Sequence, residues 1–229
     1  MSSTPSADES AIILTNKLKA REPFVFTKFG DGTLWWMSGK PVQSANGEVY
    51  RPGIDQELRK AADVLSGLPH AYFGDQLTCS SGPYLEAEQE RYIHAWDKCA
   101  WLHFETFLLH RLTPELLEFY RVLKADTRPK VLVCGKHLLP ATRMLGCYAC
   151  IIVDSSNAHR EALHQLPSSE IVLTACGHAS KILVAAEASA YKSKTFIELG
   201  SALDPLFVGR TRSEQIEPGL AREYFKGLL

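Results

Sequence analysis

Six short polar stretches in the sequence combine glycine or small residues with side chains that bind phosphate or transfer protons. Glycine lets a ligand come close to the backbone, while lysine, histidine and aspartate can balance its charge or exchange a proton with it. Together the stretches predict a site for a phosphorylated ligand, and a nucleotide is the ligand that we expect. They are Gly30-Asp31-Gly32-Thr33, Gly74-Asp75, Gly135-Lys136, Asp154-Ser155-Ser156-Asn157, Gly177-His178 and Gly200-Ser201.

The same stretches have a plainer interpretation as ordinary turns between strands and helices. Asp31 would then be a solvated turn residue with no ligand. Three signatures that would name a site directly, GxGxxG, GxxxxGK(S/T) and GxSxG, are absent from the sequence. Their absence disfavours a standard dinucleotide site, a P-loop nucleotide hydrolase and an α/β-hydrolase.

Short apolar runs precede the polar stretches and predict the strands that position them. We predict strands at 24–29, 70–75, 130–135, 147–154, 169–177 and 194–200. We predict helices at 12–19, from 55, at 84–111, from 114, and at 137–145, 157–166 and 178–191. Beyond residue 129 the strands and helices alternate, which is typical of a parallel sheet with helices on both faces. Ligands of such sheets bind at the carboxyl ends of the strands, so we expect the polar stretches to meet along one edge.

The predicted fold class is α/β, with a Rossmann-like, mostly parallel sheet flanked by helices and a helical insert at about 84–128. Residues 1–10 are predicted to be disordered and residues 11–229 to form one domain. The Gly30-Asp31-Gly32 segment is predicted to be a turn, and the chain beyond Trp35–Met37 a loop. Most aromatic residues of the insert are expected to be core, and the remainder, with the loop at 38–53, to shape an acceptor site. They are Tyr92, Trp96, Trp101, Phe104, Phe107 and Tyr120.

Composition and charge are those of an ordinary globular protein, with 45% apolar and 22% charged residues. The formal net charge of −1 gives no overall attraction to nucleic acid or to an acidic membrane. The N-terminus is polar and no long apolar run occurs, so we expect no membrane span and a cytoplasmic location with reduced thiols. Cys134 and Cys176 are expected to be buried thiols, while Cys147 and Cys150 have zinc-knuckle spacing without a second pair.

Four segments, spanning about residues 24–213, resemble the GT-D type glycosyltransferases in order and spacing. FTKFGDGTLWWMSGK, residues 26–40, resembles the family's RFGDGE opening. VLVCGKHLLP and CYACIIVDSSNAHREALHQL resemble its strand, helix, strand and Asn-Ala turn. IVLTACGHASKILVAAEASAYKSKTFIELGSALDP resembles its late strand, glycine turn, helix and final strand, and GRTRSEQ its closing element. The resemblance implies sugar transfer from a nucleotide-sugar donor, with a UDP-sugar as the first expectation.

The resemblance also implies a divalent cation, Mn²⁺ or Mg²⁺, with Asp31 as its ligand. The family carries a second acidic residue two positions after this aspartate, where this chain has Thr33. A threonine hydroxyl brings no charge, so the cation could bind more weakly, bind through Asp31 and the diphosphate, or be dispensable. Lys28 stands where the family often has arginine, which keeps the charge and loses the two-pronged geometry for phosphate.

The candidate roles divide into catalysis and donor binding. The catalytic candidates are Asp31, Asp75, Glu198 and Asp204, and His178 is a further candidate base. The donor-binding candidates are Lys28, Gly30, Gly32, Thr33, Gly135, Lys136, Asp154, Asn157, Gly177, His178, Arg210 and Arg212. Glu198 lies within its strand, so its side chain could simply face a helix.

The acceptor and the alternatives stay open at this point. The chain also resembles small GT-D-like proteins of bacteriophages, and this resemblance implies a modified base in DNA as an expected acceptor; a homodimer is also compatible with the sequence. One rival is a transferase that uses S-adenosylmethionine or another nucleotide-derived donor. Another is a binding protein that keeps the fold but has lost sugar transfer, with Thr33 in place of the acidic residue as the sign of that loss.

Overall fold

The computed structural model describes residues 4–41, 49–75, 78, 91–92, 99–108, 111–153, 162, 166, 168–209, 211 and 215–229. One sheet of seven parallel strands runs through this part of the chain in the order β3-β2-β1-β7-β6-β4-β5. The strands are β1 Val25–Lys28, β2 Ala71–Asp75, β3 Ala100–His103, β4 Lys130–Cys134, β5 Ala149–Ile152, β6 Ile171–Ala175 and β7 Thr195–Glu198. The predicted α/β class with a parallel sheet is therefore confirmed.

Helices cover both faces of this sheet. Helix α1 packs against α4 on one face, and α3 packs against α6 on the other. The helices are α1 Ala7–Lys19, α2 Asp31–Met37, α3 Ile54–Ser66, α4 Pro114–Ala125, α5 Ala141–Leu145, α6 Ala179–Ala190, α7 Asp204–Phe207 and α8 Pro218–Tyr224, with a 3-10 turn at Lys136–Leu138. Among the described residues, no helix has the length and apolarity that crossing a bilayer requires.

The central strands are apolar on both sides because both sides are covered. Successive residues of each strand point to opposite faces, so neighbouring residues enter different cores. Val25, Val172 and Phe196 lie in the core under α3 and α6, while the residues that follow them lie in the core under α1 and α4. This explains why the runs read as continuous hydrophobic stretches rather than as alternating ones.

Local signals set the ends of two helices. Ser6 accepts a hydrogen bond from the Glu9 amide at 3.2 Å, and Glu9 accepts one from the Ser6 amide at 2.8 Å, which is a capping box at the start of α1. Thr113 caps α4 through the Leu116 amide at 3.3 Å, with Pro114 as its first residue, as the sequence predicts.

Three local predictions are wrong. Residues 7–10 belong to α1 and are not disordered, because the Ser6 cap starts the helix early. The predicted helix at 84–111 contains the strand β3 at Ala100–His103, so the insert is not wholly helical in its described part. The predicted turn at Gly30-Asp31-Gly32 is instead the start of the helix α2, whose Leu34, Trp36 and Met37 side chains are buried. Burial of these side chains outweighs the low helix propensity of Gly32.

Candidate functional site

The carboxyl ends of the parallel strands meet along one edge of the sheet, which we call the carboxyl edge. Strands β1 and β7 are neighbours at its centre, with β2 on one side and β6 on the other. The edge brings together the predicted residues at the ends of five strands: Lys28 at the end of β1 and Gly30 to Thr33 after it, Asp75 at the end of β2, Gly135 and Lys136 after β4, Gly177 and His178 after β6, and Gly200 to Asp204 after β7. Predictions for Asp154, Asn157, Arg210 and Arg212 lie outside the described residues.

Asp31 is the first residue of α2, directly beyond β1. Gly30 precedes it in an extended conformation, so the chain turns from strand into helix within two residues. The Asp31 Oδ1 atom accepts a hydrogen bond from the Gly32 amide at 2.8 Å. The side chain is only half-buried, so this carboxylate lies at the carboxyl edge with part of its surface open.

Thr33 and His178 join the ends of β1 and β6 through a buried contact. The Thr33 Oγ1 and His178 Nδ1 atoms are 2.9 Å apart, and the two residues are 3% and 6% exposed. The imidazole stacks on Trp36 with ring centroids 3.9 Å apart. Burial, with a smaller effect of the nearby Lys181 charge, lowers the pKa of His178 to about 3. His178 is therefore a neutral imidazole at physiological pH and a weak base.

Lys28 ends β1 with its ammonium group beside the turn after β7. The side chain is buried, and Nζ lies 5.4 Å from the ring centroid of Phe104. Gly200 has φ of +60°, and a Cβ atom there would lie 3.1 Å from the Lys28 Cε atom. A Cβ on Gly74 would lie 2.9 Å from the Lys28 Cβ atom. Two glycines therefore make the space in which this lysine reaches the carboxyl edge.

Glu198 lies under α6 instead of at the open part of the edge. Its carboxylate forms an ion pair with Lys181 of α6 and is 1% exposed. Its Oε2 atom also accepts hydrogen bonds from Thr27 Oγ1 at 2.8 Å and from the Lys28 amide at 3.1 Å. This arrangement gives Glu198 a structural role that joins β1, β7 and α6. The sequence prediction missed Lys181, although a lysine within the apolar run of α6 is the signal that would have found it.

Asp75 and Asp204 are both buried carboxylates with partners. Thr4 Oγ1 donates to Asp75 Oδ2 at 2.6 Å, so the segment before α1 lies against the end of β2. Thr211 Oγ1 donates to Asp204 Oδ2 at 2.5 Å. The Gln215 side chain accepts from the Thr211 amide at 3.0 Å and donates to the backbone after β7, at the Ser201 carbonyl, at 2.9 Å. Sequence reasoning missed these partners, because hydroxyl and amide side chains in loops carry no distinctive pattern.

Gly135 and Lys136 follow β4 at the start of the 3-10 turn. A Cβ on Gly135 would lie 2.7 Å from His137 Cε1, so this position requires glycine unless the histidine moves. The Lys136 side chain is exposed. Its charge is available to a ligand from solvent but is not fixed in place by the fold.

The residues at the carboxyl edge do not fit a metal site built from two carboxylates. Thr33 replaces the second acidic residue, and its hydroxyl is already bonded to His178. Within the described ranges, no group of three histidine, cysteine, aspartate or glutamate side chains could hold a metal ion. Asp31 therefore stays the candidate cation ligand that the sequence resemblance implies, with Thr33 in the place of its expected acidic partner.

The cysteines of β4 and β5 include a close pair of thiols. Cys134 Sγ and Cys150 Sγ are 3.6 Å apart. Burial raises the pKa of both thiols and raises the pKa of Cys147 to about 12. The predicted burial of Cys134 is confirmed, whereas Cys176 is only half-buried. Raised pKa values keep these thiols protonated and poorly reactive.

Comparison with known proteins identifies the fold. No protein-family model matches the sequence, and no curated protein matches it at a significant level. Two solved structures of the domain of unknown function 1792 match the fold at 16% identity, each alignment covering 86% of this chain and 83% of the other. One is a selenomethionine-substituted structure, with a TM-score of 0.52. The other, with a TM-score of 0.54, is described as having a distinct glycosyltransferase fold. This chain therefore has the glycosyltransferase fold that its resemblance to the GT-D type enzymes implied.

Proposed function

We propose that this protein is a glycosyltransferase that moves a sugar from a nucleotide-sugar donor to an acceptor at the carboxyl edge of its sheet. One observation carries the proposal: on a glycosyltransferase fold, the buried Lys28 and the half-buried Asp31 both lie at the carboxyl end of the central strand β1. Ligands of open parallel sheets bind at this edge, next to central strands.

The reaction needs a group that balances the charge of the leaving diphosphate. An acceptor atom forms a bond to the anomeric carbon, and the bond from that carbon to the diphosphate oxygen breaks, with its electron pair leaving on the nucleoside diphosphate. Lys28 and Lys136 are the described cations at the carboxyl edge that can stabilise this charge. Arg210 and Arg212 are proposed for the same role from the sequence resemblance.

The acceptor proton must pass to a base as the new bond forms. Asp31 is the most open of the four carboxylate candidates, because Asp75, Glu198 and Asp204 are nine-tenths or more buried and have protein partners. His178 is a poor base since its pKa is about 3. We therefore propose Asp31 as the carboxylate that faces the substrates.

The finer features of the proposal come from the sequence resemblance. We propose a UDP-sugar as donor, a modified base in bacteriophage DNA as acceptor, and reaction in the cytoplasm. The net charge of −1 offers no general attraction to DNA, so a DNA acceptor requires a local contact.

A thermal-shift panel of nucleotides and nucleotide-sugars tests this function. A ligand at about 100 times its dissociation constant adds about 2.7 kcal/mol, and each kcal/mol raises Tm by roughly 2–4 °C at this size. We expect a rise of roughly 5–11 °C with one nucleotide-sugar, lost in Asp31→Ala. The matched control is Asp63→Ala, an exposed aspartate of α3, which should keep the full rise.

Two outcomes contradict the proposal. A rise with S-adenosylmethionine and none with any nucleotide-sugar indicates the rival transferase. Binding of a nucleotide-sugar without release of its nucleoside diphosphate in the presence of any offered acceptor, or of water, indicates a binding protein that has lost transfer.

A further inference from the structure

We infer that this protein binds the diphosphate of its donor without a divalent cation. The uncharged, buried pair of Thr33 and His178 occupies the position where the resembled enzymes carry a second acidic residue. The inference rests on the proposed function, because it concerns the same donor site. Its basis is that the residues at the carboxyl edge do not fit a metal site built from two carboxylates.

The Thr33 hydroxyl is already committed to a protein contact. It lies 2.9 Å from His178 Nδ1 on a residue that is 3% exposed. Because so little of Thr33 is exposed, its oxygen reaches a cation only if the surrounding packing shifts, which costs free energy even when the hydroxyl keeps its contact with the imidazole. The hydroxyl would bring no negative charge to repay that cost.

The imidazole is fixed as firmly as the hydroxyl. His178 stacks on the fully buried Trp36 at 3.9 Å between centroids, and a Cβ atom on Gly32 would lie 3.5 Å from its Cε1 atom. The ring extends from the start of α6 onto α2, so it cannot move toward a metal without losing its contacts with Trp36 and Thr33. With its pKa near 3, His178 is also uncharged at physiological pH.

The other described carboxylates near the edge are occupied. Glu198 is in an ion pair with Lys181, Asp75 accepts from Thr4, and Asp204 accepts from Thr211. Mg²⁺ in nucleotide sites is usually held by one or two carboxylates together with phosphate oxygens. Asp31 supplies one carboxylate, which is the lower limit of this usual number, so we expect the cation to bind weakly here.

Positive charge is supplied by the protein itself. Lys28 is buried at the end of β1, in space provided by Gly74 and Gly200, and Lys136 lies exposed beyond β4. Lysine binds phosphate as a compact point charge, and burial strengthens its field by lowering the local dielectric. A donor diphosphate at this edge thus meets cations from the chain where a metal ion would otherwise balance it.

Isothermal titration calorimetry with UDP, GDP, ADP and CDP tests the inference on the wild-type protein. Each nucleoside diphosphate is titrated in EDTA and again in Mn²⁺ or Mg²⁺. We expect the dissociation constant of the preferred nucleotide to change by less than about tenfold between these conditions. Tightening of tenfold or more by the metal, or binding only in its presence, overturns the inference and leaves the proposed function standing. Absence of binding in both conditions removes the proposed function and the inference with it.

Two variants of Thr33 add a matched comparison. Thr33→Asp introduces a carboxylate at the position of the missing acidic residue, and Thr33→Val keeps the volume without the hydroxyl. We expect Thr33→Asp to weaken nucleotide binding in EDTA by about tenfold or more and to regain it with Mn²⁺, whereas Thr33→Val shows no metal response. Thr33→Val binding that becomes metal-dependent contradicts the inference. Circular dichroism and Tm confirm that each variant is folded, and if Thr33→Asp does not fold, the wild-type titration decides.

Discussion

The buried ion pair between Lys181 and Glu198 yields the sharpest prediction, because it separates a structural carboxylate from a catalytic one. Both side chains are at least nine-tenths buried, at 7% and 2% exposure. In Lys181→Met the carboxylate stays in the sheet with its hydrogen bonds to Thr27 and to the Lys28 amide, but without its counter-charge. Removing one partner of a buried pair costs about 3–5 kcal/mol.

For a chain of this length, the expected loss of stability corresponds to a measurable decrease in Tm. At roughly 2–4 °C for each kcal/mol, Lys181→Met should lower Tm by roughly 6–20 °C. Glu198→Gln leaves the lysine buried without its partner and should also lower Tm. The double variant removes both charges, so it should recover most of the loss, and the costs of the two single changes should therefore be strongly non-additive in the double-mutant cycle.

Thermal denaturation followed by circular dichroism measures these changes, and release of nucleoside diphosphate from the donor measures transfer. We expect the double variant to retain transfer in proportion to its folded fraction. The reasoning is refuted if Glu198→Gln has the Tm of the wild type and no transfer, since the carboxylate would then act on the substrate. It is also refuted if Lys181→Met loses less than about 1 kcal/mol, since the pair would then be screened by solvent.

Two further predictions concern stability. Because the pKa of His178 is lowered from 6.5 to about 3, the unfolded chain binds this proton at a higher pH than the folded one. The contribution of His178 to the free energy of unfolding is therefore complete above pH 6.5 and falls by up to about 1.4 kcal/mol per pH unit between pH 6.5 and 3. When the free energy of unfolding from urea denaturation is plotted against pH, His178→Asn should give a shallower slope in this range than the wild type. Equal slopes for the two proteins would contradict this. Gly146→Ala should lose about 1–3 kcal/mol in the same assay, because φ is +67° and the new Cβ lies 2.7 Å from the Lys124 carbonyl. Gly219→Ala, in helix α8 with open space around it, is the control and should gain up to about 1 kcal/mol; a loss there as large as in Gly146→Ala would argue against the strain.

The parallel sheet could be predicted from the sequence because its strands are apolar on both faces. Runs such as 130–135 and 169–177 have no other stable place than the middle of a covered sheet. Their spacing, with helical patterns between them, then decides that the strands are parallel. Strand β3 was missed because Ala100–His103 is a short edge strand with only Leu102 buried, so its pattern is weaker than the helical pattern around it.

The candidate site was predicted in its positions and less well in its contacts. The residues that follow the strands do lie along one edge, because parallel strands leave no alternative. The role of Glu198 depends on Lys181, seventeen residues earlier in the chain, and on the rotation of α6 over the sheet, which no local pattern encodes. The Thr33–His178 contact likewise joins residues that are 145 positions apart, so only the folded chain reveals it.

The pairing of β1 with β7 has a consequence for how this chain folds during synthesis. The contact between Thr27 and Glu198 spans 171 residues. At roughly 5–20 residues per second, the ribosome needs roughly 10–30 s to deliver the second strand after the first. During that time the backbone N–H and C=O groups on one side of β1 have no partner strand, and they are open to pairing with strands of other nascent chains. Slower translation in this interval, or closer spacing of ribosomes on the message, should therefore raise aggregation. A full-length chain diluted from denaturant has both strands from the start, so its folding rate is limited only by the formation of its long-range contacts.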